Sequence, residues 1–530
     1  MLRINQIKVH IEHTMDELRK KISQELKTDV NNIIDFKILK KSIDARKKPQ
    51  LFYIYNICVN VIDEDSILRK NRNNNIVLYN ELKYKFRNRY TLRQRPIVVG
   101  SGPAGLFCAY QLALANCKPI VLERGKEVLE RIADVNNFWN NNELNTNSNV
   151  LFGEGGAGTF SDGKLNTLVN DKSGRNNYVL ETFVEFGAPE NILYDSKPHI
   201  GTDILIDVVA NMRNRIIELG GEFRFNSCVS DIIVEDDCAT GVVVNGNDIY
   251  SSSVVVLAIG HSARDTFNMI YSKNISMESK NFAVGFRVEH LQDVINTSQY
   301  GINYTDALPA ANYKLTYNTC DKRGVYSFCM CPGGYVVNSS SEPNRLSING
   351  MSYSKRDSKN ANSAIIMTVN SDDYGTSSPL VGMYFQEKIE ENAYKAGNGD
   401  VPVQRYIDFK LGKQTSLNDI KYQPLIKGKY TGANLTTILT KELNDAFVEG
   451  MEYFGKIING FNDDEVIISG IESRTSSPIR IIRDDNLESN FKGLFPCGEG
   501  AGYAGGIMSA AMDGLRVSEK IALNYGRDIV

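Results

Sequence analysis

The chain has 530 residues with a formal net charge of −3, long enough for about two to four domains, each with its own core. It has no apolar run near the ~18 residues of a membrane span. The N-terminal MLRINQIKVHIEH has no apolar signal core, and nine cysteines without a C-x-x-C spacing fit neither a disulfide framework nor a zinc site. These features predict a cytoplasmic protein with reduced cysteines, no metal and no membrane partner.

Residues 1–92 read as a small α/β domain. Residues 2–11 alternate like a half-buried strand. Thr14 and Glu17 form a capping box, and Met15, Leu18, Ile22 and Leu26 then recur at helical spacing. Two more strands are expected at 36–43 and 51–62, joined by the basic turn 44–50, and the resulting βαββ core needs cover from elsewhere. Segments 69–75 and 83–95 read as connections. Residues 1–95 carry 21 Lys and Arg against 11 Asp and Glu, while the remainder is acidic. The basic side chains are mostly lysine, with no interleaved aromatic platform, which favours a solvated face or docking on the acidic body over nucleic-acid binding.

The stretch 96–125, PIVVGSGPAGLFCAYQLALANCKPIVLERG, has the order strand, glycine turn, helix, strand, acid. Strands are expected at 97–99 and 120–122 and a helix at 106–115. Gly100, Ser101, Gly102, Pro103, Ala104 and Gly105 form a dinucleotide fingerprint, in which Gly100 turns the chain, Gly102 admits a pyrophosphate and Gly105 lets helix and strand pack closely. The helix N-terminus offers free N–H groups to phosphate. Glu123 ends the second strand, where it can accept from a ribose hydroxyl.

Residues 136–149, rich in asparagine, read as a surface loop or ragged helix end. In FGEGGAGTFSDGKL (152–165), Gly153, Gly155 and Gly158 repeat the spacing without the βαβ setting. This predicts a loop lying flat on a cofactor through Gly156 and Gly158, with Ser161 and Lys164 as polar contacts; a purely structural glycine loop is the alternative. A helix at 203–219, short strands at 222–225, 229–234 and 241–244, and a buried strand at 254–259 ending on Gly260 extend the sheet. Residues 268–465 mix strands at 282–289 and 323–329 with a helix at 380–396 and read as a substrate domain. A strand at 494–497 then enters a third glycine turn (Gly500, Gly502, Gly505), where a helix starting at Gly505-Gly506-Ile507 can stabilise a second negative position on one ligand.

These four segments, in this order, resemble the FAD-binding set of the glutathione-reductase-type flavoproteins. The SDGKL loop, CMCPGGYVV (329–337), NGMSYSKRDSKNANSA (349–364) and CGEGAGYAGGIMSAAMDG more particularly resemble the NAD(P)/FAD-dependent oxidoreductases, or FAD-dependent dehydrogenases. The resemblance implies an α/β protein with a discontinuous Rossmann-like FAD-binding domain (93–267 and 466–530), an inserted mixed α+β substrate domain (268–465) and a small N-terminal α/β (βαββ) domain (1–92). It implies FAD held at its pyrophosphate by Gly100, Gly102 and Gly105, at its ribose by Glu123 and beside its adenine by Arg124 and the Val229 backbone. Gly260 would also border the cofactor. Gly498 and Glu499 would lie by the pyrophosphate and ribitol, and the amides of Gly506 and Ile507 at the flavin N1–O2 edge, where a helix N-terminus favours the reduced anion. Glu499 stands where the wider superfamily usually has Asp. The implied chemistry is hydride or electron transfer through flavin N5 with a small-molecule substrate. NAD(P)H would be a transient donor, since no second nicotinamide domain is visible, and an electron-donor protein is a further possible partner.

Candidates beyond the flavin are Cys329 and Cys331, which at i and i+2 of a strand share one face and read either as a redox dithiol or as packing. His199 and His261 read as acid–base groups or as structural hydrogen-bonding residues. Arg356 is a weak anion-site candidate and Cys497 reads as packing. Three other functions stay open: a flavoenzyme acting on RNA through the basic domain, a non-catalytic flavin-binding redox sensor, and a plain NAD(P)-binding dehydrogenase using the first fingerprint alone.

Overall fold

A computed structural model describes residues 1–71, 74–86 and 90–527; parts of the expected connections 69–75 and 83–95 lie outside the described residues. The fingerprint strand Ile97–Val99 is central in a five-stranded parallel sheet. The sheet order is Leu494–Pro496, Val255–Leu257, Ile97–Val99, Ile120–Leu122, Glu222–Arg224. Its three inner strands are nearly all buried, as continuous apolar runs require when both faces of a parallel sheet are covered. The helix Pro103–Leu114 packs against the C-terminal helix Ile507–Asn524. Their approach is so close that a Cβ on Gly514 would lie 2.2 Å from the Ala104 carbonyl oxygen. The first and last glycine motifs therefore meet through these two helices. The expected meander is present as Val229–Glu235, Cys238–Val244 and Asp248–Ser251, but it forms a separate three-stranded sheet, and of this region only Glu222–Arg224 and Val255–Leu257 extend the parallel sheet.

A second, seven-stranded sheet runs in the order Thr316–Asn318, Gly324–Cys331, Asn360–Val369, Phe282–Leu291, Ile467–Glu472, Val401–Arg405, Tyr430–Gly432. The strand Ile467–Glu472 pairs with Phe282–Leu291, so the chain leaves this sheet after residue 472 rather than at the expected 465. The helix expected at 380–396 is present as Val381–Ala396. Several helices go beyond the sequence reading, among them Arg175–Glu185, Arg264–Ser272, Gln292–Tyr300 and Lys441–Gly455. Of the two readings of 136–149, the ragged helix end fits its start, where the helix Val128–Asn141 ends.

The N-terminal sheet is antiparallel, in the order Ile33–Lys47, Gln50–Val61, Leu2–His10, Ile76–Leu78. It covers the capped helix Met15–Leu26, where Glu17 N donates to Thr14 Oγ1 at 3.2 Å and Thr14 N to Glu17 Oε2 at 2.7 Å. The strand Ile76–Leu78 and helix Glu64–Lys70 are additions to βαββ, too short to show a period. The N-terminal domain shares one apolar cluster with the second sheet, Leu2, Leu18, Ile22 and Ile57 with Phe286, Ile365 and Phe447. It meets that region at residues 298–307, where Tyr53 Oη donates to the Ala307 carbonyl at 3.5 Å and Thr305 Oγ1 to Glu12 at 3.3 Å. Among the described residues no helix is long and apolar enough to cross a membrane.

Candidate functional site

A cavity of about 360 Å³ opens where the parallel-sheet strands end and meet the second sheet. Its first wall is the fingerprint turn. Gly100 has φ +96°, and a Cβ there would come 2.4 Å from the Ala258 carbonyl oxygen; a Cβ on Gly105 would come 1.9 Å from that of Gly100. Gly102 caps the helix Pro103–Leu114 without a side chain, so unpaired helix N–H groups border the cavity beside Gly100, Pro103 and Ala104. The second glycine loop lies on the first: Gly153, Gly156, Gly158, Ser161 and Lys164 all line the cavity. Gly155 instead packs on Val209 beneath.

Two buried charged side chains hold these loops. Glu123 Oε2 accepts from Ser101 N (2.9 Å) and Oγ (2.7 Å), and Oε1 from Gly125 N (2.9 Å) and Gly153 N (3.1 Å). Ser101 thus serves Glu123 and is not on the cavity surface, and Glu123 borders the cavity with its acceptor positions already engaged. The guanidinium of Arg131, fully buried, donates to the carbonyls of Asn149, Val150, Glu154 and Gly156 at 2.6–3.0 Å. Nothing in the sequence marked Arg131, an isolated arginine on an amphipathic helix. Arg124 and Val229 line the same end. Arg124 stacks 4.5 Å from the Phe152 ring centroid and binds Asp265 and Cys228.

The far wall combines Gly260, His261, Glu499, Gly505, Gly506 and Ile507. A Cβ on Gly260, Gly505 or Gly506 would meet nothing within 4 Å, so these backbones face open space. The helix Ile507–Asn524 begins here without a side-chain cap. Gly498 stays behind the wall, its N–H donating to Asp513 Oδ2 at 2.8 Å. His261 Nδ1 lies 3.4 Å from Glu499 Oε1, and its Nε2 is buried without a partner. Burial, with Arg474 and Arg264 nearby, lowers the His261 pKa to about 4, and burial raises that of Glu499 to about 7. Arg264 and Arg474 both grip the buried Glu390, at 2.8 to 2.9 Å; Arg474 is also a cavity residue that sequence reasoning missed.

Cys329 sits at the polar end. The strand Gly324–Cys331 loses register with Asn360–Val369 between Phe328 and Cys331, and Cys329 has φ +43°. The expectation of two thiols on one strand face fails at this bulge. Cys329 lines the cavity, while Cys331 is fully buried behind it, its thiol 3.2 Å from the Cys329 carbonyl oxygen. Lys164 Nζ lies 3.9 Å from Cys329 Sγ and 3.0 Å from Asp162 Oδ2. Asp162 also binds Arg356, so Arg356 is already paired. A hydrogen bond from Cys331, then Lys164 and Arg287, holds the Cys329 thiol well below its ordinary value against the opposing effect of burial. His199 pairs with Lys164 as a β-bridge but does not reach the cavity, and burial takes its pKa to about 4. Asp162 and Asn349, both cavity residues, stood in the SDGKL and NGMS segments without an assigned role. Cys497 is buried and also borders the cavity.

The fit to FAD is direct. Two uncapped helix N-termini, at Gly102–Pro103 and Gly506–Ile507, open on one elongated cleft, whose glycine backbones leave the space that a Cβ would fill. The chain belongs to the FAD-dependent oxidoreductase family, and FAD is its cofactor. Residues 281–475 match the family model described as "FAD-dependent protein, C-terminal domain-like", residues 98–156 an NAD(P)-binding Rossmann-like domain and residues 1–60 a domain of unknown function. An uncharacterized protein of Clostridium beijerinckii is 45% identical over 528 residues, 98% of each chain. The thiamine thiazole synthase of Aeropyrum pernix is 27% identical over 158 residues, 30% of this chain and 46% of its own. Among solved structures, the E. coli quinol fumarate reductase subunit FrdA aligns at 13% identity and TM-score 0.37, covering 83% of this chain and 72% of its own.

Proposed function

We propose that the protein is a dehydrogenase or reductase that exchanges hydride or electrons between FAD and a small polar substrate, admitted at the cavity end walled by Lys164, Asn166 and Cys329. The observation that carries this reading is the continuity of one cleft from the fingerprint helix to the Cys329 bulge. FAD supplies hydride and electron transfer through its N5 position. The residues of this chain bind and orient it: the helix N-terminus after Gly102 takes the pyrophosphate, Glu123 and Arg131 keep the glycine loops in shape, and the start of the helix Ile507–Asn524 favours negative charge on the ring. Glu499, with its pKa near 7, holds or releases a proton close to neutral pH, and His261, neutral at that pH, lies beside it as a hydrogen-bonding partner. Lys164 balances negative charge at Cys329 or on a substrate. This reading places the flavin domain at 93–267 together with about 476–527, the substrate domain at 268–475, and residues 1–92 as a packing domain for it. NADH or NADPH would act as a visiting donor.

The test is the absorbance spectrum of the purified protein, followed under anaerobic conditions by NADH and then NADPH. Yellow protein that bleaches with either supports a nicotinamide-linked enzyme. Yellow protein that bleaches only with dithionite sinks that donor, and protein that stays colourless after FAD reconstitution sinks the whole reading.

A further inference from the structure

The sulfur pair at the Cys329 bulge is built unlike a packing pair. Cysteines that only fill space sit among apolar side chains; here each sulfur has its own cation. Lys164 Nζ lies 3.9 Å from Cys329 Sγ on the cavity side, and Arg287 Nη1 lies 3.9 Å from Cys331 Sγ on the buried side. Arg287 is wholly buried and held by Glu472 at 2.6 Å and Asn362 at 2.6 Å. It also donates to the Cys329 carbonyl at 3.3 Å, which fixes the bulge. The Cys331 thiol donates to the Cys329 carbonyl oxygen at 3.2 Å, and Cys329 lies on the wall of the flavin cleft.

We infer that Cys329 and Cys331 are a redox couple that opens and closes as an intramolecular disulfide at the flavin cleft, an inference that rests on the flavin reading above. On closure, Cys329 reacts as its thiolate and the Cys331 S–H bond breaks. The Cys329–Cys331 S–S bond forms, and two electrons together with the one proton released from Cys331 pass to FAD as the oxidant; opening reverses each step with reduced FAD as the donor. The paired cations stabilise whichever sulfur carries negative charge as the proton leaves. The bulge places one sulfur on the cleft wall and the other directly behind it.

The test uses the full-length, FAD-loaded protein. It is equilibrated anaerobically in mixtures of reduced and oxidised dithiothreitol, trapped with iodoacetamide under denaturing conditions and digested. The peptide spanning Cys329–Cys331 is expected to switch from two alkyl groups to none, losing the mass of two hydrogens. Starting from the oxidised protein, anaerobic dithionite is expected to be taken up as two electron pairs per FAD, against one pair in C331S. Lys164→Met leaves the sulfur pair intact and is expected to slow alkylation of native Cys329 at neutral pH by about tenfold. A peptide that always takes two alkyl groups, or a wild type that takes up a single electron pair, overturns the couple. Alkylation without disulfide closure marks Cys329 as a nucleophile alone and overturns it equally. The two readings fail separately: protein that binds no FAD defeats the flavin reading, whereas yellow protein with a permanently open pair defeats only this one.

Discussion

At the scale of single residues, the cradle depends on side chains that bind backbone rather than ligand. Glu123 receives four hydrogen bonds from its own chain, as many as a carboxylate has good acceptor positions for. Glu123→Gln turns an N–H₂ group toward backbone N–H donors and leaves buried donors unmet. The expected cost is about 2–3 kcal/mol in denaturant unfolding, even without FAD; an unchanged midpoint would show that the loops hold themselves. The opposite separation of fold and ligand is expected at Gly505, where an added Cβ meets nothing within 4 Å. Gly505→Val should keep apoprotein stability within about 0.5 kcal/mol but purify with little flavin, as read from the ratio of visible to ultraviolet absorbance. Glu499 gives a pH signature. Its folded-state pKa is raised from 4.5 to about 7, so the folded protein binds the extra proton. That stability is fully present below about pH 4.5 and is lost as pH rises through 7. Comparing wild type with Glu499→Gln across this window should show the wild type losing about 3 kcal/mol relative to the variant; parallel curves would place Glu499 in a wetter setting.

At the scale of elements, the parallel-sheet strands were legible because each is a short apolar run cut by glycine, and the capped helix Met15–Leu26 because its box and its period agree. The bulge at Cys329 was not legible, since a strand pattern predicts alternation until a register slip breaks it, and the slip comes from pairing with Asn360–Val369. Nor were the lone arginines: Arg131, Arg287 and Arg474 gain meaning only from carbonyls and carboxylates supplied by distant segments. The clearest such joint links the helix Arg264–Ser272, the helix Val381–Ala396 and Arg474 through Glu390, which is fully buried and bonded to Arg264, Arg474 and Ser473. Glu390→Gln leaves two buried guanidinium groups facing a neutral amide. It is expected to destabilise by about 3–5 kcal/mol and to loosen His261 and Arg474 at the cavity. Circular dichroism melts check the first effect, and flavin fluorescence anisotropy the second.

At the scale of the whole molecule, the charge asymmetry invited a choice between a nucleic-acid arm and an internal dock. The packing shows where the apolar side of this domain goes. The N-terminal domain shares an apolar cluster with the region of the seven-stranded sheet, and its backbone is pinned to the flavin-side loop by Lys41 N donating to the Tyr194 carbonyl at 2.7 Å. A four-stranded sheet over one helix buries too little surface of its own to stand alone. The parallel-sheet region has separate apolar clusters, so the chain divides by core rather than by order in the sequence: residues 1–80 melt with the substrate domain, and the two flavin segments melt together. Calorimetry of the full chain should therefore show at most two transitions. FAD should raise the flavin-domain transition, by about 2.7 kcal/mol when free FAD is 100-fold above its Kd. Deleting residues 1–80 should remove the other transition and yield aggregated protein, because part of the shared apolar cluster is then bare. A third transition, or a soluble truncated protein that still melts in two steps, would mean that the N-terminal domain carries a core of its own and only leans on the body.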